Sequence, residues 1–524
     1  MNHAKIPKRD AQLARSQRTS KVQNVSSRLR LATITIAVII SCAAANATGL
    51  SAGAAKVDIT NVEAGPVNDP LYVKALVIKS ATTTIAIVTV DAVAIGEIGH
   101  IGNDYLTKVR AQIQTELGIA PENVIVNASH CHGVVRADVD ALTVQAVKEA
   151  AAALVPVTVG VGRGHEDRIS ENRRFLLKDG READSRHAYS IPFDSDIAGV
   201  GPIDPEIGLL RLDKENGDTV AIIYNFACHP IQGVPSGGNT ADLTGYASKV
   251  IEDNLSEGAV ALFVQGCAGD INPAMYKDVN APRNAEHLGN MLALSALQAL
   301  KRIDTKPDPR LVAISETIAL PRADNTATIA DMEAERMQLL DSLQGTSLNF
   351  KTFVPLYVKY SLSEDFPSYY AHRYLHEEMM GREDLKKLDA ENRRNMDQYI
   401  KNIHTMERLT RLQTNLALLR KHQANNAAAG KPTVDVEVSG MRIGDFVLLT
   451  FPGELTVQIG MNIKKASPHP NTFVAGYTNG YIYYAPTADQ LCNVGGAQED
   501  SDCIVAPEWQ PLFEKEALKL LGRI

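Results

Sequence analysis

Short apolar runs, each followed by a polar or glycine-containing turn, are the feature that most constrains how this chain folds. Residues 71–80 and 82–96 are rich in Val, Ile and Thr, a pattern that predicts adjacent β-strands. Residues 103–117 instead have helical spacing and end at Gly118, a residue typical of helix C-termini. Strands and helices alternate in this way along the chain, which predicts a mixed α/β (α+β) fold with layered β-sheets flanked by helices.

The same patterns extend beyond the first three segments. Further strands are predicted over 123–130, 207–230 (two strands joined by a turn) and 261–266, and further helices over 139–154, 246–255 and 284–302.

A helical insertion is predicted over about 325–428. Residues 328–345 and roughly 384–424 are rich in Glu, Arg, Leu and Met, and an aromatic, proline-containing stretch lies between them. The Ala/Asn-rich segment 424–430 is typical of an exit linker, after which the strand pattern resumes. We expect the strands on either side to share a core, so that 48–524 forms one composite domain.

The N-terminus has the composition of an export signal. Residues 1–30 carry eight Lys or Arg and one acid. The apolar run 31–45 is shorter than the roughly twenty residues of a membrane span. Ala45-Asn46-Ala47 fits a signal-peptidase site, which predicts an export signal over 1–47. Alternatively, Ile39-Ile40-Ser41-Cys42 resembles a lipobox, so that the signal ends before Cys42 and this cysteine is lipidated. An uncleaved anchor or a misplaced start codon is a third interpretation. We expect a periplasmic or secreted protein, or a membrane-attached lipoprotein.

Charge and cysteine content exclude several classes of protein. The net charge is -8 and aromatic residues make up 5%, which disfavours binding to nucleic acid. Six cysteines in 524 residues do not form a disulfide scaffold. In an oxidising compartment Cys492 and Cys503 form the natural disulfide pair, while Cys131, Cys228 and Cys267 are expected to be buried. Oligomeric state is not determined by these features.

Histidines follow two of the predicted strands. His130 and His132 lie two residues apart at a strand end, where they are expected to share one face. Such a pair suits a metal ion, or one ligand and one acid–base group; packed or surface histidines are the alternative. His229 follows a second apolar strand and precedes Pro230. It is either a site residue or a hydrogen-bonded core histidine.

Two acidic residues stand in comparable places. Asp270 and Asn272 belong to a Gly/Asp-rich turn after a strand, which is either an anion-binding loop or a sharp turn capped by the aspartate. Glu454 follows the predicted strand 445–449 and is either a metal ligand or an acid at a helix N-terminus. Residues 477–484 contain four tyrosines. Tyrosine density indicates packing, although phenols also ligate metals.

Other motifs give weaker indications of function. His372 and His376 share a helical face but lack the His-Glu-x-x-His order, so we interpret them as a solvated surface. The glycines of 160–164 lack the P-loop lysine and the spacing of a dinucleotide-binding motif, so no nucleotide-binding loop is predicted there.

In order along the chain, these segments resemble the catalytic N-terminal domain of the neutral/alkaline (non-lysosomal) ceramidase family. That family carries His-Thr-His-Ser-Gly-Pro, Val-His-Pro, Gly-Asp-x-Ser-Pro-Asn, Pro-Gly-Glu and Tyr-x-Thr-Thr segments. The counterparts, within a similarity that spans about 57–510, are 129–133, 227–230, 269–273, 452–454 and 484–487. Residues 242–248 also resemble the start of a family helix, Asp-x-x-Gly-Tyr-Ala-Ser.

The resemblance implies a zinc site and catalytic residues. The family binds one Zn²⁺ through two His, a Glu and a Tyr, which correspond by motif to His130, His229, Glu454 and Tyr484. His132 and Arg173 would contact the substrate amide or the product carboxylate, and Asp270 and Asn272 would belong to the catalytic group. A zinc-activated water is a nucleophile at neutral pH, and His132 can shuttle its proton.

Several positions depart from the family pattern. Asn272 replaces a serine, and it can donate a hydrogen bond but cannot act as a nucleophile. Gly133-Val134-Val135-Arg136 replaces a Ser-Gly-Pro-Gly-Gly tail, and Gly495-Gly496 stands where the family has a further tyrosine. We expect no C-terminal immunoglobulin-like domain, and the insertion can rebuild the roof of the pocket. The chain is therefore a divergent relative by this resemblance.

The sequence thus predicts an exported zinc-dependent amidohydrolase that cleaves an N-acyl bond in a small-molecule or lipid-like substrate, as in sphingolipid metabolism. One alternative is a zinc esterase or other hydrolase acting on a non-sphingolipid substrate. Another, of a different class, is a non-catalytic envelope protein that keeps the fold and binds a ligand or partner. Contact with a membrane is expected at most at its periphery, or through a lipid on Cys42.

Overall fold

A computed structural model describes residues 49–185, 192–234, 237–276, 280, 283–367, 370–493 and 496–524. The predicted signal over 1–47, with Cys42, lies outside these residues. Among the described helices, none combines the length and the apolar character that a membrane span requires. Residues 49–524 form one compact unit.

The β-strands of the described residues lie between Leu50 and Ala485. In chain order they are β1 (Leu50–Asp58), β2 (Tyr72–Lys79), β3 (Thr84–Val90), β4 (Val124–Ala128), β5 (Val155–His165), β6 (Ser170–Asn172), β7 (Arg174–Leu177), β8 (Glu182–Asp184), β9 (Ile197–Val200), β10 (Glu206–Asp213), β11 (Thr219–Phe226), β12 (Val260–Gln265), β13 (Ile271–Pro273), β14 (Leu311–Pro321), β15 (Thr433–Ile443), β16 (Phe446–Thr450), β17 (Glu454–Leu455), β18 (Thr472–Ala475) and β19 (Tyr484–Ala485).

Helices flank these strands. They are α1 (Tyr105–Leu117), α2 (Val139–Ala152), α3 (Asp242–Asp253), α4 (Glu286–Leu300), α5 (Thr326–Ser342), α6 (Phe350–Leu362), α7 (Ala371–Met379), α8 (Asp384–Ala428), α9 (Val457–Ala466), α10 (Ala488–Leu491), α11 (Gln498–Ser501) and α12 (Trp509–Leu521). The helix predicted to end at Gly118 does so, and Gly118 adopts a left-handed φ of 67°, which glycine reaches without a Cβ clash.

Two large sheets form the layers. The first has eight strands in the order β12-β11-β10-β5-β1-β2-β3-β4, and the second has four in the order β14-β15-β16-β18. Leu76 and Ile223 of the first sheet share a buried cluster with Phe446 and Phe473 of the second. Strand β11 is buried along its whole length, which accounts for its nearly continuous apolar sequence.

Helices cover the other side of the same sheet. Leu243 of α3 and Leu292 of α4 pack with Ile222 and Phe263 of β11 and β12. The predicted mixed α/β class, with layered sheets flanked by helices, is therefore confirmed.

Buried amides tie the ends of separate strands together. The Asn127 side chain at the end of β4 donates to the carbonyl of Gly476 at 2.8 Å, and its Oδ1 accepts from the backbone N–H of Gln265 at 3.0 Å. Asn225 of β11 donates to the carbonyls of Val264 and Val474. Because buried polar groups need partners, these bonds specify how the ends of β4, β11, β12 and β18 meet.

Helices α5 to α8 occupy the region predicted as a helical insertion, and α8 is 45 residues long. The predicted exit linker at 424–430 is wrong for its first five residues, because α8 continues to Ala428. The Asn426 amide donates to the carbonyls of Ala323 and Ile504, and its oxygen accepts from Arg322. These tertiary bonds outweigh the weak helix propensity of asparagine.

The predicted disulfide between Cys492 and Cys503 is absent from the described structure, where both cysteines are free. Cys492 is exposed and Cys503 is buried, with its Sγ 3.5 Å from the carbonyl of Val505. Sequence proximity alone suggested the bond, whereas the two side chains occupy different environments. Cys131, Cys228 and Cys267 are buried, as expected.

Candidate metal centre and active site

His130 does not lie on a strand. Strand β4 ends at Ala128, and His130 adopts a left-handed φ of 67°. Its backbone N–H donates to the carbonyl of Ala92 at 2.9 Å, and its ring Nδ1 lies 2.5 Å from the carbonyl of Val93. The expectation that His130 and His132 share a strand face is therefore wrong, because the chain turns before the first histidine. The turn aims Nε2 of His130 inward instead.

His229 is held in the same manner by a different loop. Strand β11 ends at Phe226, and both the backbone N–H and the ring Nδ1 of His229 lie 3.0 Å from the carbonyl of Ile271. This contact joins the end of β11 to β13.

Glu454 provides the third potential metal-ligand group. It opens β17, directly after the Pro452-Gly453 turn. Its Oε2 lies 3.1 Å from Nε2 of His229 and 3.5 Å from Nε2 of His130. All three residues are buried, and their ligand atoms lie within 4.8 Å of one another. Segments from three distant parts of the sequence therefore converge on one point.

The hydrogen bonds determine which ring nitrogens carry protons. A carbonyl oxygen only accepts, so each histidine carries a proton on Nδ1, and a neutral ring then directs the lone pair of Nε2 toward Glu454. Burial lowers the pKa of His130 to about 4, against the opposing charge of Glu454, and so favours the neutral ring. When both rings are neutral, two nitrogen lone pairs and a carboxylate oxygen face one another, an arrangement that a cation stabilises.

Tyr484 lies beside Glu454. Strand β19 pairs in parallel with β17, and Tyr484 is directly opposite Glu454 in the register. Its side chain is buried, and its hydroxyl lies 3.3 Å from Nη2 of Arg173. Three of the four predicted ligands, His130, His229 and Glu454, thus cluster at one point, and Tyr484 lies on the strand next to Glu454 and lines the same cavity.

Two other tyrosines contact Glu454, and neither was singled out from the sequence. The hydroxyl of Tyr477 donates to Oε2 at 3.2 Å, and that of Tyr481 donates to Oε1 at 2.5 Å. Such donors orient a ligating carboxylate. The tyrosine-rich stretch 477–484 was the available signal, but residue spacing did not reveal which phenols face the carboxylate.

Arg173 is buried and already paired. Its Nε donates to Glu499 at 2.6 Å, one Nη donates to Asn272 Oδ1 at 3.0 Å, and the other donates to the carbonyl of Gly269 and to Tyr484. Asn272, one of the predicted catalytic residues, therefore holds Arg173 in place.

Asp270 forms hydrogen bonds to segments next to the site. Its carboxylate accepts from the backbone N–H of Val457, the first residue of α9, at 2.8 Å and from the Asn172 side chain at 3.0 Å. Burial raises its pKa, against the lowering effect of these bonds. Neither Asp270 nor Asn272 is among the residues that line the cavity described next, so the structure places both one layer away from it.

A cavity of about 360 Å³ opens over the metal cluster. His132 is exposed on its wall, with its ring centroid 5.6 Å from that of His130. Helix α8 of the insertion contributes Leu418 and Lys421 to another wall. The described residues that line the cavity are Val93, Ile98, His130, His132, Arg173, His229, Ile231, Val234, Tyr276, Leu418, Lys421, Glu454, Tyr481, Tyr483, Tyr484 and Asp502.

The fold is similar to that of bacterial ceramidases. Neutral ceramidase from Pseudomonas aeruginosa superposes with a TM-score of 0.56 and 16% identity, covering 91% of this chain and 75% of that one. A ceramidase complexed with C2 superposes with a TM-score of 0.57 and 18% identity, covering 90% and 75%. No protein-family model matches this sequence, and no curated protein matches it significantly. At these identities the similarity is one of fold, which is ceramidase-like.

Proposed function

We propose that this protein is an exported, zinc-dependent hydrolase that cleaves an N-acyl amide bond in a ceramidase-like manner. The observation that carries the proposal is the position of Glu454 Oε2, 3.1 Å and 3.5 Å from the two histidine Nε2 atoms whose Nδ1 atoms are held by carbonyls. Nitrogen and carboxylate donors, with backbone groups orienting the imidazoles, are the ligand set that zinc prefers in catalytic sites.

The remaining cavity residues fit hydrolysis. A bound zinc ion would lower the pKa of a water molecule to about 7 and so make it a nucleophile. His132, exposed in the cavity, can accept the proton of the attacking water and return it to the leaving amine. Nη2 of Arg173 donates to the Tyr484 hydroxyl oxygen at 3.3 Å, and this bond orients the phenol for a role as fourth ligand.

The substrate class rests on the shared fold and on the cavity. Two solved ceramidases share the fold, and ceramide is itself an N-acyl amide. Apolar side chains such as Val93, Ile98, Ile231 and Leu418 line the cavity beside the polar site, as suits a substrate with an alkyl or acyl chain. The basic leader and apolar run before residue 47 support export.

Metal content and substrate range test the proposal together. We expect purified wild-type protein to hold one zinc per chain and to hydrolyse N-acyl-sphingosine or a simpler N-acyl amide. His130→Ala should abolish both properties, whereas His372→Ala, an exposed histidine on α7, should leave them unchanged. Absence of stoichiometric zinc in the wild type would overturn the metal assignment. Turnover of esters alone would select the zinc esterase instead.

A further inference from the structure

Helix α8 contributes a lysine to the cavity that the ceramidase-like chemistry does not use. Leu418 and Lys421 are three residues apart, which places them on one face of the helix. Both line the cavity that also holds His130, His229 and Glu454. The side chain of Lys421 is exposed, and its Nζ lies 4.6 Å from the ring centroid of Tyr483.

The position of this wall is specified by buried contacts. Arg411 precedes Lys421 by ten residues on α8 and is buried. It pairs with the Asp184 carboxylate at 3.0 Å and donates to the carbonyl of Gly496 at 2.9 Å. His422, the residue after Lys421, is fully buried and bonds Asp502 Oδ1 through Nε2 at 2.7 Å. Because these contacts hold α8 on both sides of Lys421, its ammonium group has a defined place on the wall.

The two cations of the cavity differ in their electrostatic state. Arg173 pairs with Glu499 at 2.6 Å, in a site where both side chains are almost fully buried. The positive charge of Arg173 is therefore compensated within the protein. Lys421 makes no ion pair with any acid of the described residues, and its contact is with the Tyr483 ring. The acid on the same wall, Asp502, is engaged by His422.

The ring of Tyr483, which contacts Lys421, is itself held by two neighbouring residues. Its hydroxyl donates to Glu97 at 3.3 Å, and its ring packs against His422 with centroids 4.5 Å apart. An aromatic face attracts a cation but does not neutralise it, so the ammonium group remains available for an anion. Among the described residues that line the cavity, the available cation is thus Lys421 on the insertion rather than Arg173.

We propose that Lys421 binds an anionic group of the substrate, so that the preferred substrate is an N-acyl amide that carries a carboxylate, sulfate or phosphate. This inference rests on the proposed function, because it names the substrate class of the same site. The amide binds over the histidine–glutamate cluster, and the anion reaches the α8 wall. A charge-assisted hydrogen bond from an ammonium group then adds affinity that a neutral amide lacks.

Matched substrates and variants test Lys421. The substrates are an N-acyl-glycine and the N-acyl-ethanolamine of the same chain length, which differ in charge. We expect wild-type kcat/KM to favour the N-acyl-glycine, and Lys421→Met to lower kcat/KM for it by about tenfold while leaving that for the ethanolamide unchanged. Lys421→Glu should reverse the preference. Lys387→Met, an exposed lysine near the other end of α8, is the matched control and should behave as wild type.

A binding measurement separates this inference from the proposed function. Calorimetric titration with N-acyl-glycine reports affinity whether or not the amide is cleaved, and Lys421→Met should weaken it by about tenfold. If binding weakens as expected but no amide is hydrolysed, the amidase proposal fails and the anion site stands. If Lys421→Met leaves the affinity and the ratio of kcat/KM values unchanged, the inference is overturned. The same titration is repeated with sulfate and phosphate analogues. The anion whose affinity falls most in Lys421→Met is the one that Lys421 prefers, and no fall with any of the three anions overturns the inference.

Discussion

Glu454 Oε2 lies 3.1 Å from Nε2 of His229, although 225 residues separate the two in the chain. Nδ1 of His229 is engaged by the carbonyl of Ile271, so a neutral ring presents the Nε2 lone pair to the carboxylate oxygen. This geometry suits a pair of metal ligands, because a neutral His229 presents Nε2 to the same point as the carboxylate.

Substitution of Glu454 should separate metal binding from folding. We expect Glu454→Gln to weaken zinc binding by more than about 100-fold, because removing a ligand exceeds the 10- to 100-fold cost typical of groups that orient ligands. The metal-free variant should unfold at the same or a higher denaturant concentration than metal-free wild type, because a charge facing two lone pairs is removed. Competition with a zinc chelator and urea denaturation measure the two effects. Glu378→Gln, on the surface of α7, is the control, and unchanged zinc affinity in Glu454→Gln would contradict the assignment.

The tyrosines that donate to Glu454 should tune the metal site. We expect Tyr477→Phe and Tyr481→Phe each to reduce zinc affinity by about 10- to 100-fold, because the carboxylate loses a hydrogen-bond donor. Tyr357→Phe, whose side chain is exposed on α6, should have no effect. Zinc affinities equal to wild type in both buried variants would show that these phenols only pack.

Arg173 should be needed for stability. Its loss leaves Glu499 buried without its nearest partner, and breaking a buried ion pair typically costs about 3–5 kcal/mol. We expect Arg173→Met to lower the free energy of unfolding by that amount, reduced in part by Arg174, which lies 3.5 Å from Glu499. Adding Glu499→Gln should recover part of the loss, as measured by urea denaturation of both variants. A stable single variant with impaired turnover would instead make Arg173 a substrate-binding group.

Asp500 should make stability depend on pH near neutrality. Burial raises its pKa to about 7, despite the opposing Arg174 and with help from the Glu499 charge. The folded protein therefore keeps a proton that the unfolded chain releases near its ordinary value of 3.8. The sign follows: this contribution is fully present below about 4 and is lost as pH rises toward 7.

The matched variant isolates this effect from other titrating groups. Asp500→Asn remains neutral at all pH values, so its stability relative to wild type should increase from pH 5 to pH 8. Urea denaturation at both values, with zinc held saturating, measures the difference. A constant difference between the two proteins would contradict the assigned titration.

Local sequence patterns were sufficient for most of the fold. Strands such as β2 and β3 and the helix ending at Gly118 follow from period, propensity and capping chemistry, which act over a few neighbouring residues. Errors arose where distant contacts outweighed local preference. Helix α8 continues through asparagines because Asn426 bonds residues in two other segments.

The candidate site, like the fold, was predictable from the sequence only in part. The sequence by itself determined which residues follow strand ends, and the family-like motifs indicated His130, His229, Glu454 and Tyr484. The tertiary structure decided how they meet, because ring orientation depends on carbonyls of Val93 and Ile271 that no local pattern identifies. It also decided that Arg173 is neutralised by Glu499 and that Lys421, from a helix far along the chain, is the uncompensated cation among the described cavity residues. Such pairings depend on buried distances between remote segments, and these arise only when the sheets and α8 pack together.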